Sequence, residues 1–217
     1  KRLSDQFRVV TVDMRNHGLS PRTQTHSYPE MAGDLAEVIE TLGGPVQIVG
    51  HSMGGMVAQE MVARAPERVD RLVLYGTGAA GVLPGRFETI ATSKERARAD
   101  GASKTAKRIA ATWFLEGDQA RAFGPCAKIA QLSGIEAILA GLDAMSGWNG
   151  TSDLGRIKAK TLVIWGDHDR TYPWAQIEQL WKSIQGACLA VLPGCAHASH
   201  LEKSILFNVI LNDFLSD

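Results

Sequence analysis

The chain has 217 residues, of which 45% are hydrophobic and 21% charged, a composition typical of a folded globular protein and too apolar for a disordered one. Lys and Arg together number 23, and so do Asp and Glu, so no excess of charge attracts the chain to nucleic acid or to an anionic membrane. No apolar run approaches the roughly 18 residues of a membrane-spanning helix. We therefore expect one main domain with a single hydrophobic core, no nucleic-acid partner and no membrane partner.

Five short apolar runs, each bounded by turn residues, are typical of strands that are buried on both faces of a parallel sheet. The runs cover residues 7–12, 46–49, 71–75, 161–165 and 189–192. Helical periodicity separates most of them, at residues 28–42, 53–64, 174–184 and 201–215. The first of these helices has a capping-box pair, Ser27 and Glu30, and Gly43 at its end. The alternation predicts an α/β fold with a mostly parallel sheet and helices on both faces.

Residues 79–152 depart from this alternation, because they show helical periodicity without intervening strands. We predict that they form a small helical cap or lid over the sheet. The core would then be made by residues 1–78 and 153–217. A solvated helical excursion with no role at the site is the alternative.

Gly50-His51-Ser52-Met53-Gly54 matches the pattern Gly-x-Ser-x-Gly and lies between a predicted strand and a predicted helix, which is the context that this pattern requires. Such a tight turn strains the backbone of the serine and leaves no room for side chains beside it. Ser52 Oγ is then exposed at the sheet edge as a candidate nucleophile. The Met53 N–H, at the positive end of the following helix, is the candidate oxyanion donor. An incidental serine in a glycine-rich turn is the alternative.

A serine hydroxyl needs a base within hydrogen-bonding reach, and that base needs a group that orients it. Two loops that follow predicted strands carry candidates for these roles. Asp167 and Asp169 lie in the first loop, and His197 and His200 lie in the second. Open parallel sheets bind ligands at the carboxyl ends of their strands, so both loops are well placed. The residues alone leave the choice within each pair open.

The remaining histidines and the cysteines have structural interpretations. His51 is expected to pack or hydrogen-bond beside Ser52, and His168 to lie in a solvated loop rather than bind a metal. The three cysteines, an odd number with no CxxC pair, argue against a disulfide framework and favour a reducing compartment, the cytoplasm; they are Cys126, Cys188 and Cys195. We predict no metal and no cofactor, and the oligomeric state stays open.

The chain resembles the α/β-hydrolase family over nearly its whole length. The resemblance rests on DMRNHGLS at 13–20, GHSMGG at 50–55, GDHD at 166–169 and HASHLE at 197–202, and on the chain order Ser, Asp, His. It implies that the acid is the carboxylate three residues after the glycine that ends its strand, which is Asp169. It also implies that the base is the first histidine of the last segment, His197. Ala196 stands where the family usually has glycine.

The resemblance implies a serine hydrolase that cleaves carboxylic esters through an acyl-enzyme, on small or short-acyl substrates. A lactonase or a cofactor-free haloperoxidase or perhydrolase would use the same three residues. A non-catalytic small-molecule receptor is the alternative from another class. Trp113, Trp148 and Tyr172 are candidates for the pocket of a small-molecule ester or lactone, although core packing explains each tryptophan equally well.

The resemblance also implies two early strands and a third strand, ending in a His-Gly loop, before the strand predicted at 7–12. In the family that loop donates a second oxyanion N–H, and the third strand lies between the strands predicted here at 7–12 and 46–49. Nothing in residues 1–6 can replace it. Unpaired backbone groups cost roughly 1 to 3 kcal/mol each when buried, so we expect this sequence to be the carboxyl-terminal part of a longer polypeptide.

Overall fold

The computed structural model describes residues 3–24, 26–82 and 88–216. Within these ranges the strands are β1 (Val46–His51), β2 (Val69–Tyr75), β3 (Lys160–Gly166) and β4 (Cys188–Leu192). The helices are α1 (Tyr28–Leu42), α2 (Met53–Arg64), α3 (Ile90–Asp100), α4 (Ala102–Thr112), α5 (Phe123–Ala130), α6 (Ile135–Ser146), α7 (Trp174–Ser183), α8 (Ser199–Glu202) and α9 (Ser204–Ser216). Short 3-10 helices occupy Leu3–Asp5, Pro66–Arg68, Gly117–Gln119 and Thr151–Arg156.

The four strands form one sheet in the order β1-β2-β3-β4, and every neighbouring pair is parallel. The pairing aligns Val49 with Val73 and Ile164 with Ala190. The carboxyl ends of all four strands therefore meet at one edge of the sheet. This confirms the predicted α/β class, the parallel sheet and four of the five predicted strands.

The prediction of a strand at residues 7–12 is wrong. In the structure this segment has no strand pairing, and Val9, Val10 and Val12 are 51%, 45% and 37% exposed. A strand forms only where its N–H and C=O groups bond to a neighbouring strand. No described strand pairs with this segment, and β1 pairs only with β2 among the described residues. The apolar run is present in the sequence, but the described residues include no strand that pairs with its backbone.

Helix α1 shows how closely the sequence determines a helix boundary. The Ser27 hydroxyl accepts from the Glu30 N–H at 3.3 Å, and the Glu30 carboxylate accepts from the Ser27 N–H at 2.9 Å, so the predicted capping box is formed. The helix ends where Gly43 adopts a φ of 82°, in the left-handed region. Met31 and Ile39, at helical spacing, are buried.

The sheet is covered on both faces. Leu72 and Leu74 belong to the hydrophobic cluster that also contains Met56 from α2 and residues of α1 and α7. Val73 and Tyr75 belong to a second cluster with residues of α9. Because side chains along a strand alternate between faces, β2 divides its residues between the two layers. Full burial of a side chain of this size stabilises the fold by about 1.5 to 3 kcal/mol.

The segment at 13–20 is a tight loop that is fastened to α1. The Arg15 guanidinium makes two hydrogen bonds of 2.7 Å to the Asp34 carboxylate. Asn16, with a φ of 67° and 6% exposure, bonds through its side-chain oxygen to the Thr23 N–H at 2.8 Å. The Arg15 bonds attach the loop to α1, and the Asn16 bond joins it to Thr23.

Helices α3 to α6 lie between β2 and β3 in the chain, and the two ends of this region meet. Ala80 and Asn149 form an antiparallel bridge, while the Gly81 N–H donates to the Trp148 carbonyl at 3.0 Å and the Gly150 N–H to the Ala79 carbonyl at 2.9 Å. The chain therefore enters and leaves this helical region at neighbouring points. None of the described helices combines the length and the apolar character that crossing a membrane requires.

Candidate active site

Ser52 lies between β1 and α2 with φ 54° and ψ −121°, a strained geometry for a residue other than glycine. Its N–H donates to the Tyr75 carbonyl at 3.0 Å, and its carbonyl accepts from the Thr77 hydroxyl at 2.7 Å. Tyr75, the last residue of β2, and Thr77, two residues later, thus hold the turn through both of its backbone groups. The strain predicted for this serine is confirmed.

The glycines around Ser52 differ in how much room they have. A Cβ at Gly50 would lie 2.6 Å from the Gly54 carbonyl oxygen, and one at Gly55 would lie 2.6 Å from the Thr77 side chain. Gly54 itself has nothing within 4 Å of that position. Close packing therefore requires the first and third glycines of this turn but not the second.

Met53 is the first residue of α2, so its N–H has no acceptor within the helix and lies at the positive end of the helix dipole. Its side chain faces α6, since a Cβ at Gly141 would lie 3.6 Å from the Met53 sulfur. The predicted oxyanion donor and the helices between β2 and β3 are therefore neighbours.

Asp169 and His197 form a buried pair. His197 Nδ1 lies 2.8 Å from Asp169 Oδ2, and the two side chains are 1% and 0% exposed. The other oxygen, Asp169 Oδ1, accepts from the Thr171 N–H at 2.7 Å and the Tyr172 N–H at 3.1 Å. Because a carboxylate accepts hydrogen bonds, the neutral His197 tautomer that fits this contact has its proton on Nδ1 and a lone pair on Nε2.

The two alternative residues lie elsewhere. Asp167 Oδ1 accepts from the Gly194 N–H at 2.8 Å and the Cys195 N–H at 3.4 Å, so it holds the turn after β4. His200 Nδ1 lies 3.1 Å from the Tyr75 hydroxyl. Of the four acid and histidine candidates, the structure brings only Asp169 and His197 together.

Gly76 lies between the Ser52 turn and the Asp169–His197 pair. A Cβ on Gly76 would lie 3.1 Å from His197 Nδ1 and 3.3 Å from Asp169 Oδ2. Since the preceding residue, Tyr75, accepts from the Ser52 N–H, the pair lies beside the serine turn. No hydrogen bond among the described residues joins Ser52 Oγ to the His197 ring. In unliganded enzymes this contact is often long and tightens when substrate binds.

The rings of His51 and Tyr75, at the ends of β1 and β2, pack beside His197. His51 stacks on Tyr75 with 4.3 Å between ring centroids, and its centroid is 4.5 Å from that of His197. Burial, together with the nearby His197, lowers the pKa of His200 to about 4. Burial, and the nearby His197 and His200, also hold the pKa of His51 well below its ordinary value. Both rings are therefore neutral near pH 7, and His51 packs as its structural interpretation predicts.

The three predicted pocket residues lie in two places. The Tyr172 ring is 5.6 Å from the His197 ring and nearly parallel to it, and the Trp113 ring is 6.2 Å away. Trp148 packs edge-on against Tyr28 in the core, and its indole N–H donates to Glu60 at 3.0 Å. Two of the three thus lie beside His197, and the third has the surroundings of a core residue.

Sequence reasoning gave no role to Tyr75, Gly76, Thr77 or Glu202. The position of residues 75–77 at the end of a predicted strand, and the place of Glu202 as the last residue of the segment at 197–202, were the signals that could have drawn attention to them.

A family model described as alpha/beta hydrolase fold matches residues 1–204 of this chain. The chain belongs to the alpha/beta hydrolase family. One solved structure of the family, the enol-lactonase from Burkholderia xenovorans LB400, superposes with a TM-score of 0.86 at 25% identity, covering 94% of this chain and 79% of that one. A thermophilic esterase from Thermogutta terrifontis superposes with a TM-score of 0.88 at 25% identity, covering 99% and 81%.

Members of the alpha/beta hydrolase family with other chemistry are also similar to the chain. The proline iminopeptidase PfmaB of Pestalotiopsis fici is 28% identical over an alignment of 228 positions, gaps included, that covers 94% of this chain and 80% of that protein. The comparisons therefore establish the family and its fold. The three relatives are named as a lactonase, an esterase and an iminopeptidase.

Proposed function

We propose that this chain is a serine hydrolase that cleaves carboxylic esters, with Ser52 as nucleophile, His197 as general base and Asp169 as the group that orients His197. The observation that carries the proposal is the buried Asp169–His197 pair, with 2.8 Å between Oδ2 and Nδ1, beside the strained turn of Ser52. A serine, a base and an orienting acid in this arrangement are the parts needed for acyl transfer.

In the proposed reaction, His197 Nε2 takes the proton from Ser52 Oγ as the oxygen attacks the ester carbonyl. The Met53 N–H donates to the oxygen that becomes negatively charged. Collapse of the tetrahedral intermediate releases the alcohol, which leaves with the proton from His197. Water then attacks the acyl-enzyme as His197 takes a proton from it, and the second tetrahedral intermediate releases the carboxylic acid while His197 gives that proton to Ser52 Oγ. Asp169 stabilises the imidazolium at both stages.

We propose a small or short-acyl substrate, bound against the rings around His197. Trp113 and Tyr172 approach the imidazole from different segments of the chain, and we assign them to the pocket. Trp148 stays a weaker candidate because of its contacts with Tyr28 and Glu60. We further propose that residues 79–152 act as a cap on a core of residues 1–78 and 153–217. The bridge between Ala80 and Asn149 supports this division.

A lactone is the second candidate substrate class. It is a cyclic ester, so the same residues would open it by the same steps, and the similarity to the enol-lactonase supports it. Ester and lactone hydrolysis would differ only in whether the alcohol product remains attached to the acid.

The test combines labelling with a substrate panel. A fluorophosphonate should label the protein at Ser52 in a one-to-one ratio, and Ser52→Ala should lose both the label and the hydrolysis of p-nitrophenyl esters, with kcat reduced on the order of 10⁶. Ser146→Ala, a change at an exposed serine, is the matched control and should leave both unchanged. A folded protein that does not label would instead favour a receptor. A parallel panel of lactones separates the two substrate classes.

A further inference from the structure

Glu202, at the end of α8, joins two parts of the molecule with one carboxylate. Oε2 accepts from the Ala196 N–H at 2.7 Å, and Oε1 accepts from the Leu115 N–H at 2.8 Å. Ala196 directly precedes His197, while Leu115 follows α4 among the helices between β2 and β3. The side chain is partly buried, so water competes with these bonds less than at the surface.

The residue on the other side of His197 is bonded to the same stretch of chain. The Ala198 N–H donates to the Trp113 carbonyl at 2.8 Å. Ala198 is 2% exposed and packs in one hydrophobic cluster with Phe114. Both neighbours of His197 are thus connected to residues 113–115, one directly and one through Glu202. The Trp113 ring, 6.2 Å from the His197 ring, belongs to this stretch.

We propose that Glu202 is a positioning residue that sets the place of the Trp113 ring relative to His197, and so controls both turnover and the choice between short and long acyl groups. The inference rests on the proposed ester hydrolysis at Ser52. Glu202 touches neither substrate nor the reacting atoms. It acts because the base and one wall of the pocket are fixed to the same carboxylate.

The chemistry of the carboxylate explains why this position needs glutamate. Each of its oxygens accepts one backbone N–H, and both of those donors are fixed by the fold. Glutamine has one acceptor oxygen and one NH2 donor, so one of the two N–H groups would face another donor. Aspartate keeps both acceptors but is one methylene shorter and cannot reach both partners. Alanine leaves both N–H groups without an acceptor.

The variants Glu202→Gln, Glu202→Asp and Glu202→Ala test this with p-nitrophenyl esters of increasing chain length. For the shortest ester we expect kcat to fall about 10-fold to 100-fold in Glu202→Gln with little change in KM, because a displaced base affects the transition state more than ground-state binding. The kcat/KM ratio between long and short esters should also change, since the Trp113 ring moves. Glu202→Asp should lie between wild type and Glu202→Gln in both respects.

Glu178→Gln is the matched control, because Glu178 is also a partly buried glutamate and pairs with Lys182 at 2.7 Å on α7. It should change neither kcat nor the chain-length ratio. A folded Glu202→Gln or Glu202→Asp with wild-type kcat and wild-type chain-length ratio would overturn the inference. If Glu202→Gln does not fold, Glu202→Asp still decides it through that ratio. Failure of the wild-type protein to react with the fluorophosphonate at Ser52 would contradict the proposed function itself, and the labelling experiment detects this independently of the Glu202 variants.

Discussion

The Tyr75 hydroxyl donates a hydrogen bond of 2.6 Å to the backbone carbonyl of His197. The same hydroxyl accepts from the His200 N–H at 3.2 Å, and His51 Nε2 lies 3.2 Å from the same carbonyl. Tyr75 is the last residue of β2, and its own carbonyl holds the Ser52 N–H. One residue at the strand end therefore supports both the predicted nucleophile and the predicted base.

Tyr75→Phe should lower the free energy of unfolding by about 1 to 3 kcal/mol, because the His197 carbonyl loses a donor and the His200 N–H loses its acceptor. It should also lower kcat, since the backbone of His197 is held less firmly. Tyr28→Phe is the control: the Tyr28 hydroxyl is buried and has no hydrogen-bond partner among the described residues, so its removal should be neutral or stabilising. Urea unfolding and ester kinetics measure both effects. Equal effects of the two changes would show that the Tyr75 hydroxyl has no special role.

Gly76→Ala should reduce activity more than its loss of stability explains. Gly76 has a φ of 51°, where alanine costs roughly 1 to 2 kcal/mol, and the new Cβ would press on His197 Nδ1 and Asp169 Oδ2 at 3.1 and 3.3 Å. A misplacement of 1 Å costs about 10² in rate, so we expect kcat to fall about 10-fold.

Gly43→Ala separates the two effects of the glycine change. Gly43 has a φ of 82° but nothing within 4 Å of the position that a Cβ would take. This variant should lose similar stability and keep full kcat. If both variants keep full kcat, the contact of Gly76 with the pair has no catalytic consequence.

The sequence was informative where a signal is local. The helix at Tyr28 has its cap within four residues, and the strands β1 to β4 are short apolar runs between turns, so both could be found without the structure. The run at 7–12 has the same local signal and forms no strand. An apolar pattern shows that a segment can form a buried strand. It does not show whether a partner strand is available to pair with it.

The same distinction between local signals and long-range contacts applies to the candidate site. Ser52, Asp169 and His197 stand in motifs, so the sequence and the family resemblance together single them out. Tyr75 stands in none of these motifs, and Glu202 ends the segment at 197–202 without a role assigned to it. The importance of both comes from bonds to residues that are 122 and 87 positions away. Such contacts depend on how the sheet and the inserted helices pack, which periodicity does not determine.

Asp169→Asn should reduce kcat on the order of 10⁴, because an amide at this position favours the wrong tautomer of His197. The matched change Asp167→Asn should leave kcat within about 2-fold, since an asparagine oxygen can still accept from the Gly194 and Cys195 N–H groups, as the aspartate does. Steady-state kinetics on one ester compares the two. If Asp167→Asn is the more damaging change, the carboxylate that orients His197 has been assigned wrongly.

The stability of the protein should fall as the pH is lowered from about 6.5 to about 4. His200 has its pKa lowered from the ordinary 6.5 to about 4, first by burial and then by the neighbouring His197. In this window the unfolded chain binds a proton at His200 that the folded protein does not bind, so unfolding becomes more favourable as the pH decreases. The contribution is fully present above pH 6.5 and is lost progressively down to pH 4. His51 adds a change of the same sign, because its pKa is also lowered.

His200→Asn should flatten this dependence, since it removes one titrating group while keeping a polar side chain near the Tyr75 hydroxyl. Each histidine contributes a slope of up to about 1.4 kcal/mol per pH unit, so the loss of one is measurable by urea unfolding at a series of pH values. His168→Asn is the control, because the His168 side chain is 55% exposed and lies outside the ring stack. Wild type and His200→Asn with the same slope between pH 4 and 6.5 would show that His200 titrates alike in the folded and unfolded chains. A steeper slope in His168→Asn than in His200→Asn is expected, because His168→Asn leaves His200 in place.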